Sequence, residues 1–521
     1  MLRINVKKKE QEEMLWKAAA AWWMVTFILV HYRPLEAICP NKECTCDDVT
    51  LVVSCIYASL TVIPITLNPA IQRLVLKHNK VRAVDAAFHF YSELQYVDLS
   101  FNHLVSIPMK SFESQKKLVE LHLDNNKLSA VTNKTFDGLR RLTVLNLRGN
   151  FLEDLPDKLF SALPQLEELD LGQNRINRID STAFLGLNSL RVLYLDDNQL
   201  KVVPTPCFPL LGSLAELHVG LNAFTILPDD AFKGLNRLTI LNLSGAGLLN
   251  VSDNAFRGLQ VLRELVITDN RLKKVPTKQL SLLNRLEELA IGQNDFTTLE
   301  MDGFKGLVNL RKLDITGASL LEKVEKGALA ENLNLETLIL SSNKKLASVE
   351  EGSLAGLPNL RELTLRDNAF KTFSESLVAW PELRKLDVSE NPLDCNCKLL
   401  WLRELLVRRN ASQVLCAQPT SLKDKSLKNV SPDDLGCALH GPWPHAIIGG
   451  VCGAVVAFTA LLVIIIYRYR LRVRDAFKDY KWNKRAMARK EHEYQKTFSD
   501  DEVPNYIIPQ QTLRTIPVTE L

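Results

Sequence analysis

The apolar positions of this chain return in one frame, L-x-x-L-x-L-x-x-N, clearest as LEELDLGQN at 166–174. The last position of the frame falls at Asn79, Asn102, Asn126, Asn150, Asn174, Asn198, Asn222, Ala246, Asn270, Asn294, Ala318, Asn343, Asn368 and Asn391. That is fourteen units, mostly 24 residues apart and never fewer than 23 or more than 25. Within a unit, leucines at alternate positions, such as Leu169 and Leu171, point to one face of a short strand. One unit cannot bury that face alone, so the units must stack into a solenoid with one continuous core. The Asn carries amide donors and a carbonyl acceptor. It suits the turn after the strand, where backbone groups would otherwise be buried unpaired. Ten residues on, many units carry Phe: Phe112, Phe136, Phe160, Phe184, Phe208, Phe232, Phe256 and Phe304. These predict an aromatic spine on the far side of the core. Ala246 and Ala318 interrupt the Asn ladder, and Leu280, Ala328 and Ser353 interrupt the spine; looser packing is expected there. Fourteen strands at a spacing of roughly 4.8 Å make a sheet of about 65–70 Å.

A period of this length with this signature is identified as leucine-rich repeats. The cysteines fit that architecture. Of ten, Cys39, Cys44, Cys46 and Cys55 precede the array, Cys395, Cys397, Cys416 and Cys437 follow it, and Cys207 and Cys452 remain. Two bracketing quartets read as disulfide-stapled caps made in an oxidising compartment. Zinc is the rival reading of any quartet, and sequence alone allows three disulfide connectivities for each. CPNKECTCDDVTLVVSC, opening at Cys39, resembles the N-terminal cap of extracellular leucine-rich-repeat proteins, and NPLDCNCKLLWLRELL, opening at Asn391, resembles their C-terminal cap. The resemblance implies Cys39–Cys46, Cys44–Cys55, Cys395–Cys416 and Cys397–Cys437. Cys207, beside the spine residue Phe208, is expected to be buried and inert; an intermolecular disulfide is the sharper alternative.

The flanks add a membrane. A charged start with Lys7, Lys8 and Lys9 precedes a 13-residue apolar run at 18–30, which fits the h-region of a signal peptide. Cleavage is placed near Ala37, and either Met1 or Met14 could be the start. The uncharged run at 446–467 is long enough to span a bilayer as a helix, and Arg468, Arg470, Arg472 and Arg474 follow at once. The expected plan is therefore a signal peptide (1–37), an N-terminal cap (38–63), the repeats (64–391), a C-terminal cap (392–437), a juxtamembrane segment (438–445), a transmembrane helix (446–467) and a cytoplasmic tail (468–521). The fold class is an α/β solenoid, a horseshoe with a parallel concave sheet, capped at both ends and anchored once in the plasma membrane as a single-pass type I protein.

Gly449 and Gly453 form G-x-x-x-G, a spacing that lets membrane helices approach closely, so a homodimer through them is one expectation. Ten Lys/Arg against two Asp at 468–490 should draw anionic lipid of the inner leaflet. Ser499, followed by acids, and Tyr506 are candidate phosphorylation sites. The terminus Thr519-Glu520-Leu521 resembles ligands of PDZ scaffolds. N-x-S/T acceptors stand at Asn133, Asn242, Asn250, Asn410 and Asn429. Asn242, between Leu241 and Leu243, should face out of the sheet, where a glycan would divide it.

A net charge of +4 gives no reason to expect a nucleic-acid partner. Motifs of metalloproteases, P-loop enzymes, α/β-hydrolases and kinases are missing. No catalysis, cofactor or metal is therefore expected, and the tail is too short for a kinase or for the signalling domain of Toll-like receptors. Function should lie on the concave sheet, whose outward positions repeat proteins use as an extended binding face. The residues beside the buried leucines are Tyr96 and Asp98, His122 and Asp124, Glu168 and Asp170, Tyr194 and Asp196, Glu216 and His218. Acids mixed with rings predict a ligand site favouring a basic partner; the bland reading is polarity for solubility. The later units (Lys312, Thr316, Ser341, Arg366) are less acidic. The chain resembles extracellular leucine-rich-repeat type I membrane proteins, including adhesion and guidance molecules. That implies a cell-surface receptor or adhesion protein with a protein ligand. An auxiliary subunit of another membrane protein and an innate-immune co-receptor are the alternatives.

Overall fold

A computed structural model describes residues 39–84, 86–411, 413–437 and 443–494. The expected signal peptide and cleavage point, most of the expected juxtamembrane segment, Ser499, Tyr506 and the Thr519–Leu521 terminus lie outside the described residues. Two units are distinct, the array with its caps and the segment beyond Cys437.

The array is built on one 16-stranded sheet. It opens with an antiparallel hairpin, Cys44–Asp47 against Val52–Cys55, and every later pairing in it is parallel. Fourteen of the parallel strands, from Arg73–Val75 to Lys385–Asp387, are the predicted repeat strands, and the cap strand Val52–Cys55 continues the same ladder. Each strand is three residues long with its central residue turned inward, as in Glu168–Asp170 around the buried Leu169.

The Asn ladder does what its chemistry requires. Asn174 Nδ2 donates to the carbonyls of Leu147 (3.0 Å), Leu171 (3.1 Å) and Gly172 (3.0 Å), and its Oδ1 accepts from Leu152 N–H (3.1 Å). One side chain thus ties its own turn to the turn before it.

The spine forms as well, with Phe136, Phe160 and Phe184 stacked at 6.1 Å and Phe208, Phe232 and Phe256 at 6.1 and 6.3 Å. Phe88 extends it at the N-terminal end, tilted against Phe112 at 5.4 Å. Parallel strands pack about 4.8 Å apart. Rungs spaced more widely at the spine than at the strands bend the stack toward the sheet, so the sheet lines the concave side.

The expected loosening at the interruptions is corrected by the structure. Ala246 and Ala318 are fully buried, and one turn earlier the apolar position beside each is a buried Phe, Phe224 and Phe296, where neighbouring units have Leu or Ile. In both cases a larger side chain one turn back accompanies the smaller residue. At the spine gaps, Leu280 and Ala328 are buried, and beside Ala328 the buried Asn332 donates to the carbonyls of Phe304 and Leu307, both at 3.0 Å. Two loose ends remain at these gaps among the described residues, the Asn332 Oδ1 and the Ser353 hydroxyl, both buried without a partner.

Both caps carry the implied disulfides, Cys39–Cys46 with Cys44–Cys55 and Cys395–Cys416 with Cys397–Cys437. At the C-terminal end the helix Leu400–Arg408 buries Leu402, Leu405 and Leu406. Trp380 is covered by Trp401 at 5.0 Å, and Arg409 donates to the carbonyls of Trp380 (2.8 Å) and Leu383 (2.5 Å). Apolar area that an open solenoid end would show to water is buried instead.

Beyond Cys437 the helix Trp443–Tyr494 contains one segment, Ile448–Arg470, with mean hydropathy 2.6, long and apolar enough to cross a membrane. Gly449 and Gly453 lie on it, and a Cβ at either would meet nothing.

Candidate functional site

The pairing register sorts the concave face into columns. The first runs Tyr96, Glu120, Val144, Glu168, Val192, Glu216. The second runs Asp98, His122, Asn146, Asp170, Tyr194, His218, Asn242. Backbone hydrogen bonds just past the strands align a third: Asp124, Arg148, Gly172, Asp196, Gly220. The predicted residues are therefore drawn from all three columns, and the turn Val144 to Arg148, which holds none of them, separates Asp124 from Glu168. Asp124 and Asp196 lie one step beyond the strand rather than beside Asp98 and Asp170.

Second-column acids have a local duty. Asp98 is 8% exposed and its Oδ1 accepts from Ser100 N–H at 2.9 Å; Asp170 Oδ1 accepts from Gly172 N–H at 2.8 Å. Asn146, Asn242 and Asp387 do the same two residues on. These are Asx turns, in which a short side chain holds the backbone as it leaves the strand.

The face is also less acidic than its carboxylates predict, because Arg148 stands among them. Its guanidinium donates to both oxygens of Asp196 (3.3 and 2.8 Å) and to Asp170 at 3.5 Å. The hydrogen bond to Asp196 holds the guanidinium pKa above its ordinary value. Burial pushes the Asp170 carboxyl above the usual range despite Arg148 and the Gly172 amide. The bridge runs across Gly172, where an added Cβ would overlap the Arg148 guanidinium. Arg148 and Gly172 went unselected in the sequence. The signal was there in LNLRGN beside LDLGQN, a long cation next to a residue with no side chain.

Aromatic groups flank this cluster on both sides. Arg73 lies 3.4 Å over the Tyr96 ring, which tilts against His122 at 5.2 Å, and His122 Nε2 is 3.5 Å from Glu120. Two turns past Arg148, Tyr194 stacks on His218 at 4.6 Å with an interplanar angle of 20°. His218 Nε2 is shielded from solvent and 3.9 Å from Glu216, out of hydrogen-bond range, so it has no partner. All four rings are half-buried, and the Nε2 edge of His218 is closed to solvent. Glu168, between the two pairs, is half-buried too.

The sequons fall on different surfaces. Asn242 follows His218 in the second column, half-buried, with its Oδ1 accepting from Ser244 N–H and Oγ at 2.9 and 2.7 Å. Asn133, Asn250, Asn410 and Asn429 are exposed. Cys207 is 1% exposed; its thiol donates to the Asp180 carbonyl at 3.3 Å, and burial pushes its pKa up to about 11. The intermolecular disulfide has no accessible thiol at that position.

The leucine-rich-repeat family model matches residues 92–152, 140–200, 212–272, 260–320 and 333–393. Reticulon-4 receptor-like 2 of Homo sapiens is 36% identical over 115 residues, 22% of this chain and 27% of its own length. Lumican of Homo sapiens is 39% identical over 74 residues, 14% of this chain and 21% of its own. Trophoblast glycoprotein of Mus musculus is 28% identical over 131 residues, 22% of this chain and 31% of its own. The matched stretches thus span about a quarter of these relatives. Among solved structures, that of a TLR13–ssRNA13 complex superposes with a TM-score of 0.52 at 25% identity, covering 70% of this chain and 60% of that one.

Proposed function

This chain belongs to the leucine-rich-repeat family, and on that premise we propose that it is a single-pass type I cell-surface receptor or adhesion protein with a protein ligand on its concave face. The observation that carries the reading is the paired rings, Tyr96 with His122 and Tyr194 with His218, kept half-open on either side of the Arg148 cluster. Rigid, half-open rings give contact area at little entropic cost, the usual make-up of a binding hot spot. The first-column carboxylates Glu120, Glu168 and Glu216 oppose a phosphate backbone, which favours a protein over a nucleic acid. Asp124, Glu168 and Glu216 then select positive groups on the ligand, while Asp98 and Asp170 hold the turns beneath them. A glycan on Asn242 bounds the site at its C-terminal side.

The remaining parts fit an anchored receptor. The helix through Ile448–Arg470 crosses the membrane, Gly449 and Gly453 offer a dimer face, and the basic stretch after it meets anionic lipid. The tail docks a PDZ scaffold through Thr519, Glu520 and Leu521, tuned by phosphorylation at Ser499 and Tyr506. The test is a screen of the full-length chain in nanodiscs against arrayed cell-surface and secreted proteins. A specific hit lost in Tyr194→Ala/Asp124→Lys, with an unchanged melting temperature, supports the site. A hit untouched by that pair removes it from the concave face.

The length of the helix Trp443–Tyr494 favours a second reading, an auxiliary subunit that engages another membrane protein through this element. Exchanging the membrane helix for an unrelated one would abolish that role and leave a receptor's ligand binding intact.

A further inference from the structure

The first three turns depart from the rest at one position. Tyr57, His78 and Phe101 are successive rungs, each N–H reaching the next turn's backbone, and all have positive φ (55°, 57° and 53°). Glycine, short polar residues and histidine suit that conformation, whereas the bulky rings of Tyr57 and Phe101 are disfavoured choices. In every later turn the equivalent residue is Gly, Asn, Asp, Gln, Ser or Glu, with one exception, Leu221, which lies against Gly245. Three rings in a row at such a position stack on one another, Tyr57 on His78 at 4.5 Å and His78 on Phe101 at 4.4 Å. They still face water, since Tyr57 is 69% and Phe101 40% exposed, beside Ile56 at 43%.

The charge around this rim is positive. Lys77 lies 5.2 Å over the Phe101 ring, and Lys80 and Arg82, two and four residues after His78, are exposed. Three of the acids around it are engaged in hydrogen bonds. Asp98 is buried on Ser100, Asp47 accepts from Val49 and Thr50, and Asp48 accepts from Asn68. Asp124 borders the rim on its far side, its carbonyl accepting from Phe101 N–H at 3.0 Å, and the cations Lys77, Lys80 and Arg82 outnumber it.

We propose that this N-terminal rim is a second docking surface, and that its occupant is an acidic polypeptide segment bearing an aromatic side chain. The cations answer the acids. The prearranged ring column and Ile56 supply apolar area that a sulfated polysaccharide would leave unused. The rim meets the concave site at Asp124 and lies several turns from its Tyr194–His218 part, so Tyr194→Ala tests that site and the His78/Phe101 pair tests the rim.

The test uses the full-length chain in detergent micelles, with biolayer interferometry against a random Glu/Tyr copolymer, polyglutamate and heparin. The copolymer should bind most tightly. His78→Asn/Phe101→Asn, which places αL-compatible residues at both turns, should lose about tenfold or more in affinity with an unchanged or raised melting temperature. Lys77→Glu should lose a similar factor. Three results overturn the proposal: no copolymer binding, heparin binding as tight as copolymer binding, or an Asn pair that lowers the melting temperature and leaves binding unchanged. The last would make the rings a structural seal on the cap.

Discussion

Replacing Asn174 with alanine removes four hydrogen bonds, yet the structure shows that they are unequal. The carbonyl of Leu147 keeps Asn150 Nδ2, that of Leu171 keeps Asn198 Nδ2, and that of Gly172 keeps Gly149 N–H. Only Leu152 N–H, which donates to Asn174 Oδ1, is left buried and unpaired. One such donor costs about 1–3 kcal/mol, and the small void adds to it, so a loss of about 2–3 kcal/mol is expected. Ala246 and Ala318 live with this defect and pair with Phe224 and Phe296 one turn back. The matching position for Asn174 is Leu152. Leu152→Phe alone should overpack the core and cost about 1–3 kcal/mol. Combined with Asn174→Ala it should recover at least about 1 kcal/mol of coupling. The assay is denaturant unfolding of the secreted array (residues 38–440), with hydrogen exchange read at Leu152. A neutral single mutant, or a double mutant no better than the sum of its parts, would refute the compensation argument.

Gly172→Ala should displace Arg148 from Asp170 and Asp196, lowering the denaturant midpoint by the equivalent of about 1–3 kcal/mol; a crystal structure with the bridge intact would contradict this. Cys207, a thiol with a pKa of about 11 in a buried site, should resist iodoacetamide at pH 8 in the folded chain and react once denatured, whereas native labelling at the denatured rate would show that the site opens. For Asp170 the sign follows from its raised pKa. The folded state holds the proton more tightly than the unfolded one, so stability falls as pH rises from the ordinary carboxylate range through the raised value. Asp170→Asn, the residue type already used at Asn146 and Asn242, should remove that fall and keep the turn. Its stability relative to wild type should therefore improve between acid and neutral pH, and a parallel pH profile for the two proteins would sink the assignment.

What the sequence made legible was whatever the repeat imposes on every unit. The strand period, the Asn ladder, the Phe spine and the two disulfide caps each follow from a pattern repeated many times or held at fixed spacing, and the structure has all of them. The compensation at Ala246 and Ala318 was misread as loosening. It depends on Phe224 and Phe296, which lie 22 residues upstream in both cases and become neighbours only when turns stack. The Arg148 bridge was missed for the same reason, since Asp196 is 48 residues away and Gly172 acts by having no side chain. Packing between turns couples residues about one or two periods apart, and a reading taken one unit at a time does not see them.

This bears on where a ligand can be read. An acid flanked by buried leucines looks like a free surface charge, but its distance to the amide two residues on decides otherwise: Asp98 and Asp170 are spent on turns, and Asp196 on Arg148. Changing them perturbs the scaffold, so lost binding in such variants would say little about contact. The rings carry no such duty. Tyr194 and His218 meet each other only across the gap between two turns, and removing one edge leaves every backbone hydrogen bond in place. A charge at Asp124 is similarly separable, because its side chain accepts only from the adjacent Asn125. The discriminating substitutions are thus those at the ring edges and at Asp124, and a ligand indifferent to both would have to bind elsewhere on the array.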